Sequence, residues 1–259
     1  MKKHIKLIVF ILSLAIVYFT YSIFLNQNKK MIYIPLGDSI AEGMTPYHDI
    51  DYGYTDYVAD YLKKENNLSF YTKNYTKSGY TIGDVENDIN NNKVVEIDNK
   101  KYYLKEMLRE SDLVTLTIGA NDFISGISFS NISTKITDIK EIKKDIDTIA
   151  NKFKDLIVLI KKYAKNQIIV TGYFNPLPRM TEYKEVIDEA VQYYDNLIEE
   201  ICNEMNIKYV DIFEIIGNNS DVLSNPLDIH PNKKGYELIS KEVIKVLNSW
   251  QIGKKSVYY

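Results

Sequence analysis

The stretch Met31–Gly43, MIYIPLGDSIAEG, decides how the chain is read. Its first six residues form a short apolar run of the kind that makes a strand buried on both faces, and the run stops at Gly37-Asp38-Ser39. Downstream, Tyr57, Val58, Tyr61 and Leu62 recur at helical spacing and predict a helix over Tyr54–Asn66. A strand is expected over Leu68–Tyr75, followed by Ser78-Gly79 and a helix near Ile82–Ile89. Residues 93–104 fit either a small hairpin or part of a helical excursion. Leu113–Ile118, LVTLTI, is the clearest buried strand and is bounded by Gly119. Ile139, Ile142, Ile146, Ile149, Phe153, Leu156 and Ile160, three or four apart, predict a long amphipathic helix. Gln167–Phe174 reads as a strand, stopped by a loop over Asn175–Met180 that is expected to line the site. A helix over Thr181–Met205, a fifth strand over Lys208–Phe213 and a helix over Gly235–Leu247 complete the pattern. Strands alternating with helices imply an α/β fold with a five-stranded parallel sheet covered on both faces. With no internal repeat and no low-complexity linker, residues 31–259 read as one domain.

Residues 1–30 read differently. Lys2, Lys3 and Lys6 precede an uncharged apolar run from Leu7 to Leu25. As a helix it would be roughly 28 Å long, close to the hydrocarbon thickness of a bilayer. The rival is a cleaved signal peptide, whose apolar region usually spans about 7–15 residues. The longer run favours an uncleaved transmembrane anchor. More lysine before the segment than after it (Lys29, Lys30) puts the following domain outside the cell. The expected location is therefore the cell membrane, single-pass, with secretion after cleavage as the alternative.

Composition narrows the function. The 259 residues hold 32 basic and 35 acidic side chains, and 45% of them are apolar, too many for a disordered chain of small net charge. Five of the basic residues and none of the acidic ones fall in residues 1–30, so the remainder carries a formal net charge of −8. That balance argues against nucleic acid as a partner. One cysteine excludes an internal disulfide framework and any multi-cysteine metal site, and no cofactor or metal is expected. An imidazole-dependent mechanism must choose among His4, His48 and His230.

In an open parallel sheet the site lies beyond the carboxyl ends of the strands. This sequence puts Ser39 after the first strand, Gly79 after the second, Asn121 after the third, and Asp228 with His230 after the fifth. A hydroxyl, a bare backbone position, a side-chain amide and an imidazole are the parts of an acyl-transfer site.

The same residues carry a resemblance. GDSIAEG (Gly37–Gly43), NYTKSGYT (Asn74–Thr81), GAND (Gly119–Asp122) and DIHP (Asp228–Pro231) resemble, in order, the four sequence blocks of the SGNH or GDSL hydrolases. The similarity spans most of residues 32–245. It implies a three-layer α/β/α flavodoxin-like sheet, no metal, and hydrolysis of esters or thioesters. It also implies roles. Ser39 would be the nucleophile, and Ser39 N–H, Gly79 N–H and the Asn121 amide would be the oxyanion donors. His230 would be the base, held in its useful tautomer by Asp228. The family commonly spaces this aspartate three residues before the histidine, where this chain has Leu227. Asp228 is two before, and residues i and i+2 on an extended segment share a side. A backbone carbonyl or a water is the alternative partner for His230.

Each residue has a structural rival. Ser39 could cap the helix after the first strand, and Asn121 the helix after the third. Gly79 could serve a turn, and His230 could pack on the last helix. Asp38 and Asp122 read as structural loop carboxylates, His48 as a surface-loop residue and Cys202 as core. The 22 tyrosines are explained mostly by helix faces such as Tyr57, Tyr61, Tyr193 and Tyr194. The expected function is a serine esterase acting outside the cell on small-molecule, envelope-glycan or lipid esters. A thioesterase or lysophospholipase of the same fold, and a non-catalytic envelope-binding module, are the alternatives.

Overall fold

The computed structural model describes residues 11–19, 30–126, 139–177, 179, 181–219, 221–226 and 228–256. Its centre is a five-stranded, all-parallel sheet of β1 (Met31–Gly37), β2 (Leu68–Tyr71), β5 (Leu113–Thr117), β6 (Gln167–Thr171) and β7 (Lys208–Val210), in the order β2-β1-β5-β6-β7. Counting only these strands, this is the flavodoxin-like order 2-1-3-4-5, whose direction of winding reverses between β1 and β5. β5 and β6 are buried along their whole length, their Thr115, Thr117, Gln167 and Thr171 included, as strands covered on both faces are.

On one face of the sheet α2 (Tyr54–Lys64) packs with α9 (Lys233–Ser256). On the other, α6 (Ile139–Tyr163) packs with α7 (Lys184–Glu204), α3 (Ile82–Asn90) and α4 (Leu104–Glu110). Residues 93–104 resolve in favour of a hairpin, β3 (Val94–Ile97) with β4 (Lys100–Tyr103). Asp98 and Asn99 at its tip have φ of 51° and 61°, the paired positive values that a two-residue primed turn needs.

The strands are shorter than their apolar runs suggest. β2 ends at Tyr71, where the Thr72 hydroxyl accepts from Asn74 N–H and a turn closes from Thr76 N–H to the Lys73 carbonyl. β7 ends at Val210, because the Asp211 carboxylate accepts from Phe213 N–H and starts α8 (Phe213–Gly217).

Among the described residues no helix is long and apolar enough to cross a membrane. Residues 11–19 are helical and exposed, and the rest of the apolar run expected to form the anchor lies outside the described residues.

Candidate active site

At the carboxyl edge of the sheet, β1 ends where two backbones nearly touch. A side chain on Gly37 (φ +134°) would sit 2.1 Å from the Thr117 carbonyl oxygen, and Asp38 N–H donates to that same oxygen at 3.0 Å. Only glycine fits there. The chain then turns directly into α1 (Ser39–Glu42). Its N-cap is Asp38, not Ser39: Asp38 Oδ1 accepts from Ile40 N–H at 3.0 Å. The serine is thereby released from capping.

Ser39 Oγ instead lies 2.8 Å from His230 Nε2, although the two are 191 residues apart. Asp228 Oδ1 lies 2.8 Å from His230 Nδ1 and accepts from His230 N–H at 2.8 Å. One carboxylate oxygen thus fixes both the ring and the backbone of the same residue. In this network Nδ1 carries the proton and Nε2 is left to accept from the serine. The two-residue spacing suffices because the Asp228 carboxylate folds back onto the backbone two residues on, in an Asx-type turn that brings the imidazole to the same oxygen. Asp228 and Ser39 are buried, and the imidazole is 11% exposed. The histidine segment is pinned from outside. Asn225 Nδ2 donates to the Pro46 carbonyl at 2.8 Å, and the Tyr236 hydroxyl donates to the Met44 carbonyl at 2.6 Å. His48 is largely exposed, as expected of a surface loop, yet its Nδ1 is 3.7 Å from Asp228 Oδ2.

Asn121 lies in α5 (Ala120–Gly126), immediately after β5, and lines the same cavity as Ser39 and His230. Its Nδ2 donates to the Tyr80 carbonyl at 2.8 Å, which ties it to the loop that carries Gly79 and leaves a second amide proton. Gly79 has φ +82° and open space where a side chain would begin. It is not among the cavity-lining residues, but its loop is fastened to α1: Glu42 Oε2 accepts from Ser78 N–H at 2.6 Å and from the Ser78 hydroxyl at 2.5 Å. The Ser39 and Gly79 N–H groups donate to no group among the described residues.

Two residues near the site escape a sequence reading. Glu42 sits inside the GDSIAEG block with nothing in the pattern to give it a role. Tyr173, just past β6, donates its hydroxyl to Asp38 Oδ2. Burial raises the Asp38 carboxyl from its ordinary 3.8 to about 7, against the pull of that hydrogen bond. Asp122, expected to be structural, accepts from Ile82 N–H at 2.8 Å at the start of α3, and its carboxyl is raised by burial. Cys202 is fully buried in α7, and burial pushes its thiol up to about 12. The Asn175–Met180 loop contributes Pro176 and Leu177 to the cavity, as expected of it.

Comparison with known proteins fits this arrangement. The chain is 24% identical over 236 residues to Uncharacterized protein YpmR of Bacillus subtilis (strain 168), covering 89% of this chain and 86% of that one. Among solved structures it resembles the lipase Lip_vut3 from a goat rumen metagenome, with a TM-score of 0.64 at 17% identity over 82% of this chain and 95% of that one. It also resembles a catalytic mutant of Axe2, an acetylxylan esterase from Geobacillus stearothermophilus, with a TM-score of 0.57 at 19% identity over 84% and 94%. At those identities the structures speak for the fold. The model of the GDSL-like Lipase/Acylhydrolase family matches residues 36–238, so the chain belongs to that family of carboxylic ester hydrolases.

Proposed function

We propose that the chain hydrolyses carboxylic esters through an acyl-enzyme on Ser39. The observation that carries this reading is the unbroken relay from Asp228 Oδ1 through His230 to Ser39 Oγ, with both links at 2.8 Å. Ser39 Oγ attacks the ester carbonyl carbon while His230 Nε2 takes the hydroxyl proton. The Ser39 and Gly79 N–H groups and the Asn121 amide receive the negative charge that appears on the carbonyl oxygen. The carbon–oxygen bond to the alcohol then breaks, and the proton on His230 passes to the departing alkoxide. Water repeats the sequence on the acyl-serine, giving a carboxylic acid and regenerating Ser39. Asp228 stays ionised throughout and stabilises the imidazolium. Hydrolysis of aryl esters by the full-length chain and by Ser39→Ala tests this. Activity present in the first and lost in the second is expected, and undiminished activity in the variant overturns it.

We propose further that the hydrolase works outside the cell, tethered by residues 7–25. The length of the uncharged run and the lysines before it support this reading. Detection of the intact N-terminus in washed membranes is the expected result, and its loss from the mature protein overturns the anchor.

A further inference from the structure

The amino edge of the sheet, opposite Ser39, carries a second cleft of about 380 Å³. It is lined from the end of α6, the start of β6, the turn into β7 and Trp250 near the end of α9. Lys161, Lys165 and Lys208 line it, and among the described residues no carboxylate does. Lys161 Nζ donates to the Met205 carbonyl at 2.5 Å and Lys165 Nζ to the Lys161 carbonyl at 3.0 Å. Those bonds cap helix ends and leave both positive charges unmatched. Among the described residues none of the three lysines pairs with a carboxylate, and the Lys208 ammonium makes no hydrogen bond.

Gln167, the first residue of β6, also lines the cleft. It is 3% exposed, and its Nε2 donates to nothing among the described residues. Burying an amide without a partner costs free energy that a leucine of similar size would not. Strand geometry places that amide beside a cation. Gln167 and Ile169 point to one face of the sheet, and Ile169 is in register with Lys208 of β7, so Gln167 and Lys208 share that face. A buried N–H donor and three ammonium groups form a set of donors that calls for an acceptor with several oxygens and more than one negative charge. A carboxylate brings two oxygens and one charge. A phosphate monoester brings three terminal oxygens and a charge of about −1.5 to −2 at neutral pH.

We propose that this cleft binds a phosphate group, with the Gln167 amide and the Lys208 ammonium as its principal donors and Lys161 and Lys165 adding charge. The site is independent of the ester chemistry at the opposite edge. Two sources supply a phosphate group: a phospholipid headgroup, and a soluble phosphate or phosphate ester. The chain enters β1 at Met31 on this same edge, with only residues 26–30 between it and the apolar run 7–25. Fully extended, that connection reaches about 20 Å at most. With residues 7–25 as the tether proposed above, the cleft is held near the bilayer surface and Ser39 faces away from it. The lipid source rests on that reading; the site does not.

The test uses the full-length chain in neutral detergent micelles, with inorganic phosphate as the probe and ionic strength held constant. Trp250 is the chain's one tryptophan, so its fluorescence reports on this cleft, and line broadening in phosphorus NMR is read alongside. We expect a saturable response to phosphate that acetate does not give. Lys208→Gln should weaken it about tenfold, as loss of one charge-assisted hydrogen bond does. Gln167→Leu should weaken it at least threefold, by about the contribution of one hydrogen bond, while its urea midpoint stays as high as wild type or rises. Reconstitution in phosphatidylcholine vesicles with and without phosphatidylglycerol separates the sources. Protection of Lys208 from acetylation by phosphatidylglycerol, lost in Gln167→Leu, assigns the lipid headgroup; a phosphate response without that protection assigns the soluble source. Failure of the chain to stay with the vesicles overturns the tether and leaves the site to the phosphate titration. An equal response to acetate, a response unchanged in both variants, or no response to phosphate and no protection by phosphatidylglycerol overturns the site.

Discussion

The Tyr173 hydroxyl donates to the Asp38 carboxylate across 135 residues of sequence, joining the end of β6 to the residue that precedes the serine. Asp38 is buried and also caps α1, so it is held on both oxygens and shielded from water. Burial is the dominant influence and raises its carboxyl to about 7. The folded chain therefore holds this proton more tightly than the unfolded chain does. Below about pH 4 both states are protonated; between pH 4 and 7 the unfolded state releases the proton first and gains on the folded one. Stability owed to Asp38 is thus lost as pH rises through that window, by about 1.4 kcal/mol per pH unit at most. Asp38→Asn keeps the cap and cannot ionise. Denaturant unfolding at pH 5 and pH 8 should show wild type losing a few kcal/mol relative to the variant at the higher pH. Parallel curves would mean that the carboxyl titrates in its ordinary range.

Asp228 reaches His230 from two residues away and uses the same oxygen for the ring and for the backbone N–H. Replacement by asparagine preserves the shape and favours the wrong imidazole tautomer. Asp228→Asn should lower kcat about 10³–10⁴-fold with KM little changed. His48, 3.7 Å from the other oxygen and 75% exposed, makes the kind of surface pair that is worth little. His48→Ala should stay within about threefold of wild type. Steady-state kinetics on the two variants checks both, and a loss under tenfold for Asp228→Asn would shift ring orientation to other groups.

The oxyanion assignments make a graded prediction. Asn121→Ala removes a donor aimed at transition-state charge and should lower kcat by about 10²–10³. Glu42 touches no reacting atom. It holds Ser78, beside Gly79, by two short hydrogen bonds, and so acts as a positioning residue. Glu42→Ala should cost about tenfold in kcat with KM unchanged, since small misplacement of a donor is felt mainly in the transition state. Glu42→Gln, which still accepts from Ser78, should recover most of that loss. An equal loss in both variants would show that the charge matters and the tether does not.

Much of this was legible in the chain because apolar runs and turn chemistry are local. LVTLTI at Leu113–Ile118 could be little else than a buried strand, and Gly37-Asp38-Ser39 marked its neighbour's carboxyl end. Strand ends were less legible, since Val210-Asp211-Ile212-Phe213 alternates like a strand while the Asp211 side chain starts a helix. Ser39 reads as a possible cap and Asp38 as a loop carboxylate, whereas Asp38 is the cap; either residue type can accept from a helix N–H, and only geometry separates them. The isoleucine stripe of α6 has the same spacing whether it packs against a wall or faces a void. The cavity was therefore invisible to periodicity, and so was the Tyr173–Asp38 bond, which depends on how β6 aligns with β1.

Cys202 offers the sharpest contrast with Ser39, as the chain's one thiol. It is fully buried on α7 and burial pushes its ionisation up to about 12, so at neutral pH almost none is thiolate. A thiol in that state is neither nucleophilic nor reachable. Iodoacetamide at pH 8 should leave the folded enzyme unmodified and fully active, while a fluorophosphonate probe abolishes activity through Ser39. Cys202→Ala should leave kcat unchanged and cost roughly 1 kcal/mol of stability through lost packing. Mass spectrometry of the treated protein, before and after unfolding in denaturant, reads both halves of the prediction. Carbamidomethylation of Cys202 in the folded chain, accompanied by loss of activity, would move the nucleophile away from Ser39.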